Sequence, residues 1–439
     1  MGRDPNPVRP AARGTEWLTE KEIRDSYNNS RKRGFLPVIL GSDENAYGIA
    51  RAFHEKYDII PTALCKDILP AVRNSKILEI VRIDNFDEEK TCIENLAKIA
   101  EEKLKDYEKL ILIPCSDYYL EYVAKNKDII EKYFCNKFIS YDLLQKFKTK
   151  EKFYQICDEY NLTYPKTFVC EKKDRLDILN SLTFDFPMIV KPGNSNSYDY
   201  LHSEFEGKKK VFFVNTKEEY INIINNINAS DYNGNLIIQE FIPGDDTSER
   251  TLNCYSDNNG KVKLMCLGQP VIEEYSPLAL GNYGAIMTDY NQDIFDKIKR
   301  FLEDIKYVGF SNFDMKLDPK SGEYKPYDLN PRQGRSSFFV TAAGYNLAGF
   351  LVDNCVYNKN QDIIYANSDN LWLTVPKKII FKYVENQEVL ERAKRLIKEK
   401  KYAYTLLYKK DMSVMRYLRI KKYYNRHIKN FRKYFFKKI

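Results

Sequence analysis

The chain has 439 residues, 43% of them apolar, and a formal net charge of +8. It is long enough for two or three domains. No apolar run reaches the length of a membrane-spanning helix, and the polar first thirty residues lack the apolar core of a secretory signal, so we expect a cytoplasmic protein. Nine scattered cysteines without metal-binding spacing predict reduced thiols. Three histidines in unrelated contexts argue against a His-ligated zinc site.

The charge is distributed unevenly along the chain. Residues 401–439 carry thirteen Lys or Arg and one acid, Asp411, and so account for +12. The remaining residues therefore sum to −4. The basic character belongs to the C-terminal tail and not to the body of the protein.

The first part of the chain predicts an α/β domain preceded by an appendage. Residues 1–34 are rich in Pro and Arg, and we expect them to be a disordered or helical extension. An apolar strand at 35–40, a glycine turn at 41–48 and a helical run then follow. This order is typical of an open, Rossmann-like sheet, which we assign to residues 35–145.

Two acids follow predicted strands of this domain. Asp43 lies after the first strand, and Asp117 after the strand at 110–114. Strand ends host ligands in such sheets. Capping of the following helix explains either acid equally well, and both interpretations stay open.

The next segment contains a lysine in an apolar strand. Thr149 can cap a helix that begins at Lys150, and Lys191 is the one charge in the apolar run 186–192. An unpaired buried lysine is costly, and a phosphate partner would remove that cost. The loop that follows contains Ser195 and Ser197, and small hydroxyl-rich loops can close backbone N–H groups over phosphates.

A hairpin later in the chain predicts a metal site. Turn residues at 318–322 separate two alternating runs, and one face carries Asp314, Asp328 and Asn330. The other face is apolar, with Phe313, Met315, Leu317, Tyr327 and Leu329. A turn centred on Lys320 places Asp314 across from Pro326 and makes Asp328 its diagonal neighbour, about 7–8 Å away. Oxygen ligands of this kind suit Mg²⁺ or Mn²⁺.

The order Asp314, Asp328, Asn330, Arg332 resembles the metal-binding end of the ATP-grasp ligases. The resemblance implies an α/β (α+β) protein with an ATP-grasp domain between the α/β domain and a basic extension. The implied boundaries are 1–34 for the appendage, 35–145 for the α/β domain, 146–357 for the ATP-grasp domain with lobes at 146–230 and 231–357, and 358–439 for the extension.

The same resemblance implies roles in nucleotide binding. Lys150 and Lys191 would hold the ATP phosphates under the loop of Ser195 and Ser197. The segment after the strand at 235–239 resembles the hinge that receives adenine. Its implied contacts are the backbone of Glu240, Phe241 and Ile242 for the base, and Asp246, with Asp245 as the alternative, for the ribose.

ATP-grasp ligases join a carboxylate to an amine or thiol through an acylphosphate, and this resemblance implies the remaining roles. Catalysis then rests on positioning and charge neutralisation. Lys191 and Arg332 would be catalytic, Mg²⁺ would lie on the hairpin acids, and Arg335, Ser336 and Ser337 would hold the carboxylate substrate.

A closer resemblance covers the chain from Pro37 to about Tyr434. The stretches PVILGSDENAYGIARAF, FIPGDD, MCLGQP, GFSNFDMK and NPRQGRSSFFVT resemble the D-aspartate ligases of Gram-positive cell-wall synthesis. Those enzymes join D-aspartate to the lysine amine of a UDP-linked peptidoglycan precursor. Two alternatives remain: an ATP-grasp ligase with another amino acid or amine acceptor, and a non-catalytic, membrane-tethered nucleotide-binding protein.

The tail contains a helical apolar stripe bordered by basic residues. The stripe consists of Tyr417, Ile420, Tyr424, Ile428, Phe431 and Phe435. Such a helix is typical of peripheral contact with an anionic membrane, here through 411–439. Packing of the stripe on the protein body is the alternative, and a third reading has the basic face attract the precursor's anionic groups. No nucleic-acid motif accompanies the charge.

Overall fold

The computed structural model describes residues 32–193, 198–277 and 279–436. The segment 1–31 of the predicted appendage therefore lies outside the described residues. So do Ser195 and Ser197 of the predicted phosphate loop.

The N-terminal part is a parallel sheet with the strand order β3-β2-β1-β4. Its strands are β1 Arg33–Leu40, β2 Thr62–Cys65, β3 Glu79–Arg82 and β4 Tyr107–Pro114. Its helices are α1 Glu44–Tyr57, α2 Glu89–Lys103, α3 Asp117–Lys125, α4 Lys127–Ile130 and α5 Tyr141–Gln145. The central strands β1 and β4 end side by side, with Leu40 paired to Pro114. Strand β1 begins at Arg33, two residues before the predicted start.

The next unit is an antiparallel sheet with the order β5-β8-β6-β7. Its elements are α6 Lys150–Glu159, β5 Thr167–Cys170, β6 Met188–Pro192, α7 Tyr198–His202, β7 Phe212–Val214, α8 Lys217–Asn228 and β8 Leu236–Glu240. Strand β8 pairs with β5 and β6. Strand β8 thus belongs to this sheet, although it follows the division that we predict at about 230/231. The domain boundaries stay predictions.

An eight-stranded sheet forms the second lobe, in the order β13-β12-β9-β10-β11-β15-β16 with β14 beside β10. Its strands are β9 Glu249–Ser256, β10 Val262–Glu273, β11 Tyr283–Asp289, β12 Gly309–Asp318, β13 Glu323–Asn330, β14 Ile364–Tyr365, β15 Leu371–Leu373 and β16 Tyr402–Tyr404. Its helices are α9 Gln292–Asp304, α10 Phe338–Ala342 and α11 Leu347–Cys355. Strands β14 to β16 come from the predicted extension 358–439 and thus belong to this sheet.

The chain ends in helices α12 Lys377–Tyr383, α13 Gln387–Lys398 and α14 Val414–Tyr434. Ile420 and Phe431 of the predicted stripe are buried in the body, where Tyr424, Ile428 and Phe435 also pack. These five residues of the stripe therefore pack on protein, whereas Tyr417 is half-exposed. Among the described residues, no helix is long and apolar enough to cross a bilayer.

An enclosed ion pair fixes the start of α14. The Arg416 guanidinium lies 3.0 Å from Asp411, and both side chains are buried. Asp411 also accepts hydrogen bonds from Tyr47 and Ser75 of the N-terminal domain. Removing one partner of such a pair leaves an uncompensated charge, so the contact ties the tail to the N-terminal domain.

Candidate active site

The hairpin of β12 and β13 brings its two acids closer than the sequence predicts. Asp314 is paired directly with Asp328, and the register shifts by a bulge before Met315, which faces Pro326. The predicted placement of Asp314 across from Pro326 is wrong, because the bulge leaves Tyr327 as an extra residue. Residues directly opposite on one face have Cβ atoms about 4.5–5.5 Å apart. The two carboxylates are therefore immediate neighbours.

The two neighbouring acids have pKa values that are shifted in opposite directions. Burial and the neighbouring Asp328 raise the pKa of Asp314 to about 7, and the Tyr283 hydroxyl donates to its Oδ1 at 3.1 Å. Burial also opposes ionisation of Asp328. The Lys150 amine, 2.8 Å from Asp328 Oδ1, outweighs that effect and holds the Asp328 pKa below its usual value. One acid of the pair is compensated and the other is not.

Lys191 meets an amide instead of an anion. Only 6% of the residue is exposed. Its Nζ donates to Gln239 Oε1 at 2.9 Å, and Gln239 Nε2 donates to Tyr154 and Thr167 at 2.7 Å. Burial, and then the charge of Lys150, lower the Lys191 pKa well below its usual value. The placement of Lys191 in a buried strand is confirmed, and an anionic ligand would favour its charged form.

The donor set of the hairpin fits a divalent ion shared with a ligand. Asn330 Nδ2 donates to Asn312 Oδ1 at 3.2 Å, which turns the amide oxygen of Asn330 away from that contact. In the part of the chain that the structure describes, no group of three His, Cys, Asp or Glu could hold a metal. Two carboxylates and an amide oxygen leave positions for phosphate oxygens, as Mg²⁺ requires.

The loop after β13 reaches the strand ends of the N-terminal domain. Arg332 Nε donates to Asp117 Oδ1 at 2.7 Å. Ser116 caps α3, so Asp117 is not the capping residue of that helix. Asp43, in contrast, caps α1 by accepting from the Ala46 amide at 3.0 Å. Capping is therefore confirmed for Asp43 and is wrong for Asp117. A ligand role stays a prediction for both acids.

Arg335 and Ser337 are already engaged by the protein. Arg335 Nε lies 3.1 Å from Glu44 Oε2, and its Nη2 lies 2.7 Å from Glu274 Oε1. Ser337 Oγ accepts from the Gly334 amide and donates to Asn253. These contacts stiffen the loop. The predicted substrate roles of Arg335, Ser337 and the buried Ser336 stay predictions.

The predicted adenine hinge continues from β8. Glu240 Oε1 accepts from Lys325 Nζ at 2.9 Å. Phe241 packs edge-on against Phe213, with ring centroids 4.7 Å apart, and Ile242 is buried. The hinge thus offers one aromatic ring and backbone groups beside an ion-paired carboxylate.

The predicted ribose acid points into the protein. Asp246 is buried, and its Oδ2 accepts from the Glu273 amide at 2.8 Å and from the Tyr275 hydroxyl at 2.9 Å. The alternative, Asp245, is partly exposed and accepts from the Thr247 amide at 2.9 Å. Neither assignment is tested by these contacts, and both stay predictions.

A small cleft lies at the seam between the N-terminal domain and the second lobe. Segments 112–114, 136–139 and 331–333 contribute to its walls. Arg332 belongs to this lining, whereas the hairpin acids do not. The cleft thus leads to the arginine loop and not to the hairpin.

Several residues around the site carry no local sequence signal. Five of them contact a predicted site residue, namely Glu44, Gln239, Glu274, Tyr283 and Tyr423. His427 contacts Glu274. Glu44 follows a strand end, and that position could have indicated a site. The others come from elements far apart in sequence, so no motif connects them.

No family model matches the chain. A D-aspartate ligase from Enterococcus faecium is 42% identical over 416 residues, which are 93% of this chain and 98% of that protein. An N5-carboxyaminoimidazole ribonucleotide synthetase solved as its ADP complex has a TM-score of 0.58 at 14% identity, over 83% of this chain and 86% of that chain. An L-amino acid ligase from Bacillus licheniformis has a TM-score of 0.52 at 14% identity, over 74% and 75%.

The two solved structures share the fold, and the Enterococcus protein shares the sequence along almost its whole length. The predicted α/β class with an ATP-grasp fold is confirmed by these likenesses. The hairpin acids, the two lysines and the arginine loop lie within the matched fold. The chain belongs to the D-aspartate ligase family and is an ATP-dependent ligase with the ATP-grasp fold.

Proposed function

We propose that this protein joins the β-carboxylate of D-aspartate to the lysine side-chain amine of a UDP-MurNAc-pentapeptide precursor. The observation that carries the proposal is the 42% identity to a D-aspartate ligase over 98% of that relative. The hairpin supports the reaction type, because Asp314, Asp328, Lys150 and Lys191 meet at one place. Such a set of charges suits the phosphates of ATP and their metal ion.

The residues that would hold ATP and the metal are those predicted. Mg²⁺, or alternatively Mn²⁺, would lie on Asp314, Asp328 and Asn330, and would shield the negative charge of the phosphates. Lys150 would leave Asp328 and, with Lys191, face the phosphates, for which their amines are suited. Beyond these, the proposal keeps Ser195 and Ser197 over the phosphates, Glu240, Phe241 and Ile242 at adenine, and Asp246 at the ribose.

The chemistry proceeds in two displacements. The β-carboxylate oxygen attacks the γ-phosphorus of ATP, the bond to ADP breaks, and an acylphosphate forms. The lysine amine then attacks the acyl carbon, phosphate leaves, and the nitrogen loses a proton to give the amide. Arg332 would stabilise the charge that develops on the phosphoryl group or the oxyanion. Arg335, with Ser336 and Ser337, would hold a carboxylate of the amino acid.

A substrate panel tests this proposal. The protein is given ATP, Mg²⁺, a lysine-containing UDP-precursor and one amino acid at a time, including both enantiomers of aspartate and of glutamate. We expect ADP release with D-aspartate well above that with the others. Preference for another amino acid would support the alternative in which the protein is an ATP-grasp ligase that uses a different amino-acid substrate. Absence of ADP release with every amino acid would favour the non-catalytic interpretation.

We also propose that residues 411–439 make peripheral contact with an anionic membrane, through an exposed face that shares only Tyr417 with the predicted stripe. The outward side of α14 exposes Val414 by 80%, together with Met415, Tyr417 and Leu418. The exposed basic residues beside them are Arg419, Lys421, Lys422, Arg426 and Lys429. An exposed apolar patch with a basic border suits an anionic lipid surface, to which each basic residue contributes about 1 kcal/mol.

Flotation with anionic liposomes tests the membrane proposal. Truncation near Asp411 would remove core packing, so point variants are preferable. We expect Val414→Glu with Leu418→Glu to release the protein from vesicles at low salt. The control is Ile364→Glu, at an exposed apolar residue away from the helix. Equal flotation of both variants, or none with the unaltered protein, would contradict the proposal.

A further inference from the structure

Arg335 is held between two buried carboxylates that come from distant parts of the chain. Glu44 belongs to the first turn of α1, and Glu274 follows β10. Their oxygens lie 3.1 Å from Arg335 Nε and 2.7 Å from its Nη2, respectively. The third guanidinium nitrogen, Nη1, makes no hydrogen bond within the described residues. Since 28% of this side chain is exposed, Arg335 retains a donor for a ligand.

The C-terminal helix α14 supplies the next contacts. His427 Nδ1 lies 3.2 Å from Glu274 Oε2, on the carboxylate that binds Arg335 with its other oxygen. The Tyr423 hydroxyl accepts from Arg335 Nη2 at 3.1 Å and donates to Glu44 Oε2 at 3.3 Å. His427, Glu44 and Glu274 are all buried. The tail therefore touches both carboxylates that orient the guanidinium.

These contacts fix the orientation of the two carboxylates. Each oxygen of Glu274 has its own ion-pair partner, Arg335 or His427, so rotation of the group would leave a buried charge without that partner. Burial opposes ionisation of Glu274. The His427 hydrogen bond and the Arg335 charge outweigh that effect, and they hold the pKa of Glu274 below its usual value. Glu44 is fixed similarly, since its Oε1 accepts from Thr374 at 3.0 Å.

We propose that α14 completes the amino-acid site, with His427 and Tyr423 as positioning residues that hold Arg335, through Glu274 and Glu44, in the orientation that binds a substrate carboxylate. This inference rests on the carboxylate role of Arg335 in the proposed function. It assigns a positioning role to a segment that the sequence predicts as a basic C-terminal extension.

The arrangement predicts a selective kinetic effect. The phosphate-facing lysines, Lys150 and Lys191, contact Asp328 and Gln239 and not α14. Loosening Arg335 should therefore raise the KM for the amino acid and leave the KM for ATP unchanged. A purely structural role of His427 would lower stability without this separation.

The experiment compares three variants of the full chain by steady-state kinetics and thermal unfolding. In His427→Leu, the loss of a hydrogen bond to a charged group should raise the amino-acid KM roughly tenfold. His427→Asn, whose amide can replace Nδ1–H, should restore most of the affinity. Ile420→Ala is the control, because it removes buried packing from the same helix away from Arg335. It should lower the melting temperature and leave both KM values unchanged.

Tyr423→Phe keeps the test decisive if His427→Leu does not fold. It removes one hydroxyl from the Arg335–Glu44 contact and retains the ring, so the amino-acid KM should rise severalfold. An unchanged amino-acid KM in both His427→Leu and Tyr423→Phe would overturn the proposal, and so would an equal rise in Ile420→Ala.

Arg335→Leu separates this inference from the proposed function. If Arg335→Leu leaves the amino-acid KM unchanged, the carboxylate role of Arg335 fails. If Arg335→Leu raises that KM while His427→Leu and Tyr423→Phe do not, only the positioning role of α14 fails. A rise in all three, with an unchanged KM for ATP, is the result that we expect.

Discussion

The hairpin and the arginine loop handle their charges in opposite ways. In the hairpin, Asp314 and Asp328 face each other with Lys150 beside only one of them, and the Lys191 amine meets a neutral amide. In the loop, each arginine is already paired: Arg332 with Asp117, and Arg335 with two carboxylates.

The two regions therefore differ in how their charges affect ligand binding and stability. Close carboxylates and an uncompensated lysine cost stability unless a metal ion and phosphates are bound. Such strain is common where activity needs a destabilised site. We therefore expect changes in the hairpin to remove activity while the fold persists. Changes in the loop should affect positioning, and the fold as well where the ion pair is buried.

The largest effect is expected for Asp328→Ala. Loss of a residue that holds the metal and orders Lys150 should lower kcat/KM on the order of a thousandfold. The melting temperature should stay near that of the unaltered protein, because the core is untouched. Glu323→Ala, which removes an acid from the same strand and breaks a surface ion pair with Lys297, is the matched control. Near-normal turnover of Asp328→Ala at saturating Mg²⁺ would mean that the site is misplaced.

Lys191→Met should come next. Replacing the buried amine by an apolar chain of similar length should weaken ATP binding roughly tenfold or more, as expected for a charged hydrogen bond. Isothermal titration with ATP measures the effect. The control is Lys208→Ala, whose amine donates to the Ser203 carbonyl instead of facing the hairpin. Equal losses of ATP affinity in both variants would contradict the phosphate role of Lys191.

Asp117→Asn tests whether the ion pair with Arg332 in the arginine loop supports catalysis. The neutral amide should hold Arg332 less firmly and lower kcat roughly tenfold, since a positioned charge is lost near the reacting groups. Stability should change little, because 54% of the Asp117 side chain is exposed and such pairs contribute little. Asp128→Asn, at an exposed acid outside the site, is the control. An equal kcat for both variants would separate Asp117 from catalysis.

The smallest effect concerns stability and pH. Because the pKa of Asp314 is raised to about 7, the protonated folded form contributes stability that is lost as the pH rises from about 4 through 7. The Asp314→Asn variant has no carboxyl group at this position, so it should not lose stability over this pH range. In metal-free protein at pH 8, Asp314→Asn should be more stable than the unaltered protein by on the order of 4 kcal/mol, although inactive. Thermal unfolding should show the difference shrinking toward pH 4, and a pH-independent difference would contradict the burial argument.

The sequence predicted the hairpin but not its register. Alternation and turn residues are local, so both strands and the site face were accessible from the pattern. The bulge at Tyr327 could not be predicted, because the residues on either side of it still alternate between apolar and polar. It turns Tyr327 toward Glu249, to which its hydroxyl donates at 2.9 Å, and brings Asp314 opposite Asp328.

The tail shows the same limit at longer range. The sequence predicted the apolar stripe of α14 but not the surface on which it packs. An apolar stripe indicates that one helix face is covered and does not identify what covers it. The contact between His427 and Glu274 depends on where β10 ends in the folded sheet. No pattern in either segment indicates the other, so the link to Arg335 emerges only from the structure.

Mass spectrometry of the product formed from ATP, D-aspartate and the UDP-MurNAc-pentapeptide tests whether the protein is a D-aspartate ligase acting on this precursor. The account predicts a precursor that has gained one aspartyl residue, with fragmentation placing it on the lysine side chain through the β-carboxylate, and one ADP for each amide. An unmodified precursor, or attachment of a different amino acid from a mixture, would contradict the account.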